Sequence, residues 1–343
     1  MTASVKVENM ANPSIAPAYH GGGISAATLA YPAAKKPWID LSTGINAIAY
    51  PFAPPSLEAY ARLPEQAGVE ALERSAARFF GAGGGDCVAA PGTQALLQIL
   101  PRLIPAKKVA VLGFTYAEHD RCWALSGADV FTAQTLDDLL AAEVAVIVNP
   151  NNPDGRILSV EALRDLAKTL STRGKWLILD EAFADFLPGS SLAPALPMPG
   201  VVVLRSFGKC FGLAGLRLGF ALSVEPFARR LRQALGPWAV SGASVEIGLQ
   251  AYADAAWLRQ SAARLAHEGE QLDALLNAAG FEPVGGTPLF RLVRHPRAPE
   301  IFGKLCRAGI LVRPFAEKPD CLRFGIPHSD ENFIRLQAAL SHN

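Results

Sequence analysis

Four short stretches of the chain carry apolar side chains at odd and even positions alike: KVAVLGF (Lys108–Phe114), VAVIVNP (Val144–Pro150), WLILD (Trp176–Asp180) and VVVLRSF (Val201–Phe207). Strands apolar on both pleat faces predict a sheet covered on both sides. Between two of them, Val160, Leu163, Leu166, Ala167 and Leu170 recur at helical spacing, behind Ser159 as N-cap and ahead of Gly174 as the C-terminal stop. The unit is β-α-β. Repeated, it implies right-handed crossovers and an α/β fold with a mostly parallel sheet, whose ligand sites lie beyond the carboxyl ends of the strands.

After about Pro237 the pattern changes to long helical stretches through Asp254–Gly280, then PLFRLV, a helix near Pro299–Ala308, GILVRPF and CLRFGIP. This α+β tail predicts a second, smaller domain. The first forty residues, rich in Pro, Gly and Ala, read as an irregular arm that ends in a short extended stretch, Trp38–Ser42. The expected division is residues 1–59 as arm and part of the small domain, 60–250 as the large ligand-binding domain, and 251–343 as the small C-terminal domain.

Composition narrows the function classes. A chain of 343 residues, half of them apolar, can bury cores for two domains. Its 32 basic and 31 acidic residues leave a formal charge of +1, so no electrostatic footprint for nucleic acid or an anionic membrane is expected. Small molecules and a second copy of the chain are the expected partners. The five cysteines form no CxxC pair, which suits reduced thiols and gives no metal site. The first twenty residues hold no apolar signal-peptide core, and no apolar run approaches the roughly 20 residues of a membrane span. The expected location is the cytoplasm.

Candidate chemistry gathers at the predicted strand ends. In RSFGKCFGLAGLRLG, a strand ends at Ser206 and a Gly-punctuated loop returns to a strand through Gly219. A lone lysine there would be an ordinary surface cation. Ser206, Lys209 and Arg217 together offer a hydroxyl, an amine and a guanidinium to one phosphorylated ligand; a lysine of lowered pKa forms Schiff bases, and arginine grips phosphate bidentately. Asp180 closes WLILD, either as an acid near solvent or as the carboxylate that keeps a pyridine nitrogen protonated. PGTQALLQIL sets Gly92, Thr93 and Gln94 at a helix start, as an ordinary cap or a phosphate cup. NPNNPDG (Asn149–Gly155) reads as a turn after a buried strand.

The order PGTQ, NPNNPDG, DEAF, SFGK and a downstream arginine, at β-α-β spacing, resembles the class I/II aminotransferase family of fold-type I enzymes dependent on pyridoxal 5′-phosphate (PLP). The resemblance runs from about Trp38 to the C-terminus and implies an aspartate aminotransferase-like fold. It implies Gly92, Thr93 and Gln94 as phosphate cup, Tyr116 as the aromatic on the cofactor ring, Asn152 as donor to the phenolic oxygen and Asp180 as partner of the ring nitrogen. Ser206 and Arg217 would hold the phosphate, Lys209 would bond the cofactor as an imine, and Arg323 would take a substrate carboxylate. It also implies a homodimer. The family's partner-subunit tyrosine before a proline is replaced, since Leu63 precedes Pro64; Tyr60 is the candidate substitute.

Two features narrow the resemblance. HGGGISAA (His20–Ala27) followed by WIDLSTGIN (Trp38–Asn46) is similar to the opening of the threonine-phosphate decarboxylases of cobalamin biosynthesis. Phe183 stands where the related histidinol-phosphate aminotransferases place a tyrosine. The expected reaction is decarboxylation of L-threonine O-3-phosphate to an aminopropanol phosphate, with His20, Gly21, Asn46, Arg313 and Arg323 as substrate contacts. Alternatives are an aminotransferase of the histidinol-phosphate type and a non-catalytic protein of the same fold. A dinucleotide-binding oxidoreductase is disfavoured, because GAGGGD (Gly81–Asp86) precedes a strand rather than following one.

Overall fold

The computed structural model describes residues 21–82, 84–187 and 189–341. His20 and the arm before it lie outside the described residues. Seven strands form the large sheet: β1 (Asp86–Ala90), β2 (Lys108–Leu112), β3 (Asp129–Ala133), β4 (Val144–Val148), β5 (Trp176–Asp180), β6 (Val201–Ser206) and β7 (Gly219–Ser223). Their spatial order is β1-β7-β6-β5-β4-β2-β3. Strands β2 to β6 run parallel, and β7 is antiparallel to both of its neighbours.

Alternate residues enter opposite cores, as the two-sided apolar pattern requires. Val144, Val146, Val202 and Leu204 pack on one face, and Ala145, Ile147, Val201 and Val203 on the other. The helix expected after Ser159 spans Val160–Thr172, and the Ser159 hydroxyl accepts from the Ala162 amide at 3.2 Å.

The small domain is built on a four-stranded antiparallel sheet of β8 (Glu282–Thr287), β9 (Phe290–Arg294), β10 (Arg313–Pro314) and β11 (Cys321–Gly325), ordered β10-β11-β9-β8. Ile39–Asp40 pairs in parallel with Ile310–Leu311, and Ile39 and Leu41 are buried in the small-domain core. The helix Ala255–Ala278 crosses between the domains: Trp257 and Leu258 pack on a core of the large sheet, whereas Leu265, Leu272 and Leu276 belong to that of the small one.

The turn 149–155 meets the β8–β9 hairpin at the domain boundary. Gly155 has φ +71°, and a Cβ there would lie 2.0 Å from the Gly286 carbonyl oxygen, so only glycine allows this approach.

Candidate active site

A cavity of about 200 Å³ opens beyond the carboxyl ends of the parallel strands, where such sheets place their ligands, and Arg313 and Arg323 close its far side. The structure brings to it Gly21, Gly92, Thr93, Gln94, Tyr116, Asn152, Asp180, Ser206, Lys209, Arg217, Arg313 and Arg323.

Asp180 is carried in by the last residue of β5 and is 4% exposed. Its Oδ1 accepts from the Ala182 amide at 3.0 Å, and its Oδ2 lies 3.0 Å from His119 Nε2. Sequence reasoning missed His119, which stands three residues after Tyr116 in the same GFTYAEH segment. Tyr116 is itself tied to Gln94: its hydroxyl donates to Gln94 Oε1 at 3.4 Å, while Gln94 Nε2 donates to Glu118 Oε2 at 2.7 Å. Burial first, then the charges of Glu118 and Asp180, push the Tyr116 phenol up to about 12, so it stays a proton donor at neutral pH.

Lys209 lies on one turn of helix, Phe207–Cys210, directly after β6, and not on the loop expected from its glycines. Burial lowers its amine to about 8, with Arg323 as the next cause and Asp180 opposing. A free amine is therefore within reach near neutral pH. Across the cavity the helix Thr93–Leu103 begins at Gly92 without a side-chain cap, which leaves its first amides to an anion. Gly92 has φ +81°, and a Cβ there would lie 2.7 Å from Arg217 Nη2; its absence lets the guanidinium lie against the helix start. Arg217 is held in turn by a 3.1 Å bond to the Ala214 carbonyl.

The three asparagines of NPNNPDG divide the work. Asn149 donates to the Ser190 carbonyl and accepts from the Leu158 amide; Asn151 donates to the Phe114 carbonyl and to Asp154. Both brace the turn, which leaves Asn152 to face the cavity. Asn152 Oδ1 accepts from Arg323 Nη1 at 2.5 Å, which turns its Nδ2 donors toward a ligand. Arg323 Nη2 donates to the Ser42 carbonyl at 2.8 Å, and the Ser42 hydroxyl accepts from the Gly22 amide at 2.7 Å. Arg313 and Arg323 are direct partners across β10 and β11. Burial and Arg313 lower the Arg323 guanidinium to about 9, which leaves it cationic at pH 7.

Phe183 lines the cavity, packs edge-on to Phe290 at 5.1 Å and presents no hydroxyl to it. Asn46 does not reach the cavity. Its side chain is spent on the Cys210 carbonyl, the Ile48 amide and Arg264, which corrects the expectation of a substrate contact. Tyr60 is 66% exposed, beside the exposed Leu57 and Leu63. Sequence reasoning also missed the buried Arg205, which donates to Glu181 at 3.0 Å, to Ser191 at 3.1 Å and to Asp185.

The residues present suit a phosphorylated pyridine aldehyde. The uncapped helix start with Arg217 and Ser206 forms an anion cradle, the amine of Lys209 can bond an aldehyde, and Asp180 supplies a fixed carboxylate. Fold and site together define a class of enzyme. The chain belongs to the class I and II aminotransferase family, whose model matches residues 56–340.

Within that family the chain is 40% identical to the threonine-phosphate decarboxylase of Pseudomonas aeruginosa, over 94% of this chain and 96% of the relative. It is 40% identical to that of a Sinorhizobium species, over 95% and 98%. Histidinol-phosphate aminotransferase 1 of Mesorhizobium japonicum is 30% identical over 83% of each chain. Among solved structures, histidinol-phosphate aminotransferase from Sinorhizobium meliloti, in complex with pyridoxal 5′-phosphate, superposes with a TM-score of 0.76 at 24% identity, covering 98% of both chains. This likeness establishes the fold.

Proposed function

We propose that the chain is a decarboxylase of L-threonine O-3-phosphate that uses PLP bonded to Lys209 and yields carbon dioxide and an aminopropanol phosphate. The observation that carries this reading is the pairing of Arg313 with Arg323, which sets two guanidiniums in one cavity with Lys209 and Arg217. Arg217, Ser206 and the Gly92–Gln94 turn suffice for the cofactor phosphate. Two further guanidiniums suit a substrate that carries both a carboxylate and a second phosphate. The 40% identity to threonine-phosphate decarboxylases along nearly the whole chain supports the choice, as does Phe183 in place of a tyrosine.

When bound, PLP supplies the electron sink for the pair released at the substrate Cα. Asp180, oriented by His119, would hold a proton at the ring nitrogen; Tyr116 would cover the ring, and Asn152 would donate to the phenolic oxygen. Once the cofactor was held by the substrate amine, Lys209 Nζ would stand free in the cavity as the base that takes the proton of the substrate ammonium. Arg313 and Arg323, with His20 and Gly21, hold carboxylate and phosphate so that the Cα–carboxylate bond is the one set for cleavage. That bond breaks, carbon dioxide leaves, and Lys209, having taken up the proton that the substrate ammonium gave up, would deliver it to Cα. Remote binding of the phosphate serves orientation as well as affinity.

The same reading has the enzyme act as a homodimer in the cytoplasm, within cobalamin biosynthesis. The exposed Leu57, Tyr60 and Leu63 support the dimer. No helix among the described residues is long and apolar enough to cross a membrane. A non-catalytic role is disfavoured by the convergence of Lys209, Asp180 and Arg217 on one cavity.

Product analysis on the PLP-loaded protein tests the assignment. Aminopropanol phosphate from L-threonine O-3-phosphate is the expected product. A keto acid in its place, or amino transfer from histidinol phosphate, would instead assign the aminotransferase activity named for the Mesorhizobium relative.

A further inference from the structure

A four-residue helix leaves most of its carbonyls without intrahelical partners, and in the turn that carries Lys209 the Phe207 carbonyl accepts from the Phe211 amide at 3.3 Å while the carbonyls from Lys209 onward are tied down from outside. The Asn46 amide donates to the Lys209 carbonyl at 3.0 Å, Asn46 Nδ2 to the Cys210 carbonyl at 2.9 Å, and the Tyr50 amide to the Phe211 carbonyl at 2.8 Å. Three consecutive carbonyls are thus satisfied by one strap, residues 46–50. A Cβ at Gly212 would lie 2.7 Å from the Asn46 carbonyl oxygen, so strap and turn pack backbone to backbone.

The strap is fixed in turn. Arg264 Nη2 donates to Asn46 Oδ1 at 2.6 Å and the Ile48 amide donates to the same oxygen at 3.2 Å, which together orient the amide so that Nδ2 faces Cys210. Arg264 Nη1 is held by Glu268 at 2.5 Å. Arg264 comes from the helix Ala255–Ala278, between Leu258, packed on the large-domain core, and Leu265, in the small-domain core.

We propose that Arg264 is a positioning residue for Lys209, acting through Asn46 to fix the lysine's turn against the cavity. The catalytic part of this inference rests on Lys209 being the residue that bonds the cofactor; the mechanical part does not. After the substrate amine displaces Lys209, only its own turn holds Nζ in place, and a shift of about 1 Å in a reacting group costs one to two orders of magnitude in rate. The clamp therefore matters most when the lysine is untethered. Glu268 keeps the guanidinium on the strap.

The test compares Arg264→Met with Arg264→Lys, by steady-state kinetics on L-threonine O-3-phosphate and by amide hydrogen exchange on the cofactor-free protein. In Arg264→Met, kcat should fall about tenfold with KM within about twofold. The Asn46 amide should exchange faster, while the amides of β6 keep the wild-type rate. Arg264→Lys should recover part of both losses. Unchanged Asn46 exchange in Arg264→Met would overturn the clamp, as would a uniform rise in exchange across β6, which marks general destabilisation. Borohydride labelling of a lysine other than Lys209 would sink the cofactor assignment but leave the exchange result to decide the clamp.

Discussion

His119 Nε2 lies 3.0 Å from Asp180 Oδ2, with both side chains shut away from solvent. Together with the Ala182 amide on Oδ1, this contact fixes the carboxylate at the cavity floor. Asp180→Asn should keep the fold and much of the PLP yet lose at least about a hundredfold in kcat, because a neutral amide does not stabilise a protonated ring nitrogen. His119→Phe should cost less, about tenfold, since Ala182 still holds one oxygen. Turnover and visible spectra of both variants check this. Near-normal activity in Asp180→Asn would mean the ring nitrogen is not used.

Lys209 should be the site of cofactor attachment. The purified protein should be yellow, and borohydride should fix the cofactor on the peptide that contains Lys209. A label elsewhere, or a colourless protein indifferent to added PLP, contradicts the assignment.

The same lysine links stability to pH in the cofactor-free protein. Its amine titrates at about 8 when folded against 10.5 when free, mainly through burial. Between those values the unfolded chain binds the extra proton, so this group makes stability rise with pH. Below about 8 both states are protonated and the full cost of the buried ammonium is present. Cofactor-free Lys209→Met should therefore be more stable than wild type at pH 7 by about 1–3 kcal/mol, with the difference fading as pH rises from about 8 to 10.5. Urea unfolding at pH 7 and pH 10.5 measures it; equal midpoints at pH 7 would refute the linkage.

Arg205 bridges two buried carboxylates, Glu181 and Asp185. Arg205→Met leaves both acids unpaired and should destabilise the protein by about 3–5 kcal/mol. Thermal unfolding checks it, and a melting temperature within a degree or two of wild type would contradict it.

The sheet was legible because β2 and β4 to β6 are apolar on both faces, and the site because strand ends deliver Asp180 and Ser206 wherever such a sheet forms. Arg313 and Arg323 lie in the apolar stretches GILVRPF and CLRFGIP, and the observed register pairs them directly. What escaped depends on neighbours distant in the chain. His119 meets Asp180 across 61 positions, and Arg205 sits inside an apolar strand because Glu181 and Asp185 come from the segment after β5. Lys209 was expected on a loop because Gly208 and Gly212 suggest one; outside hydrogen bonds from Asn46 and Tyr50 stabilise a turn too short to stand alone.

Arg313→Ala and His20→Ala should narrow the preference for phosphorylated over free threonine by about tenfold or more, without altering the visible spectrum. The phosphate's binding energy serves orientation, so the loss should fall on kcat as well as KM. Competition between the two substrates measures it, and an unchanged ratio would remove both residues from phosphate recognition.

The central assignment is tested most directly by carbon dioxide released from carboxyl-labelled L-threonine O-3-phosphate, with the PLP-loaded enzyme and no keto acid present. One carbon dioxide per substrate consumed, matched by aminopropanol phosphate and far faster than from L-threonine, is the predicted result. No labelled gas, with efficient transfer of the amino group of histidinol phosphate to 2-oxoglutarate, would contradict it.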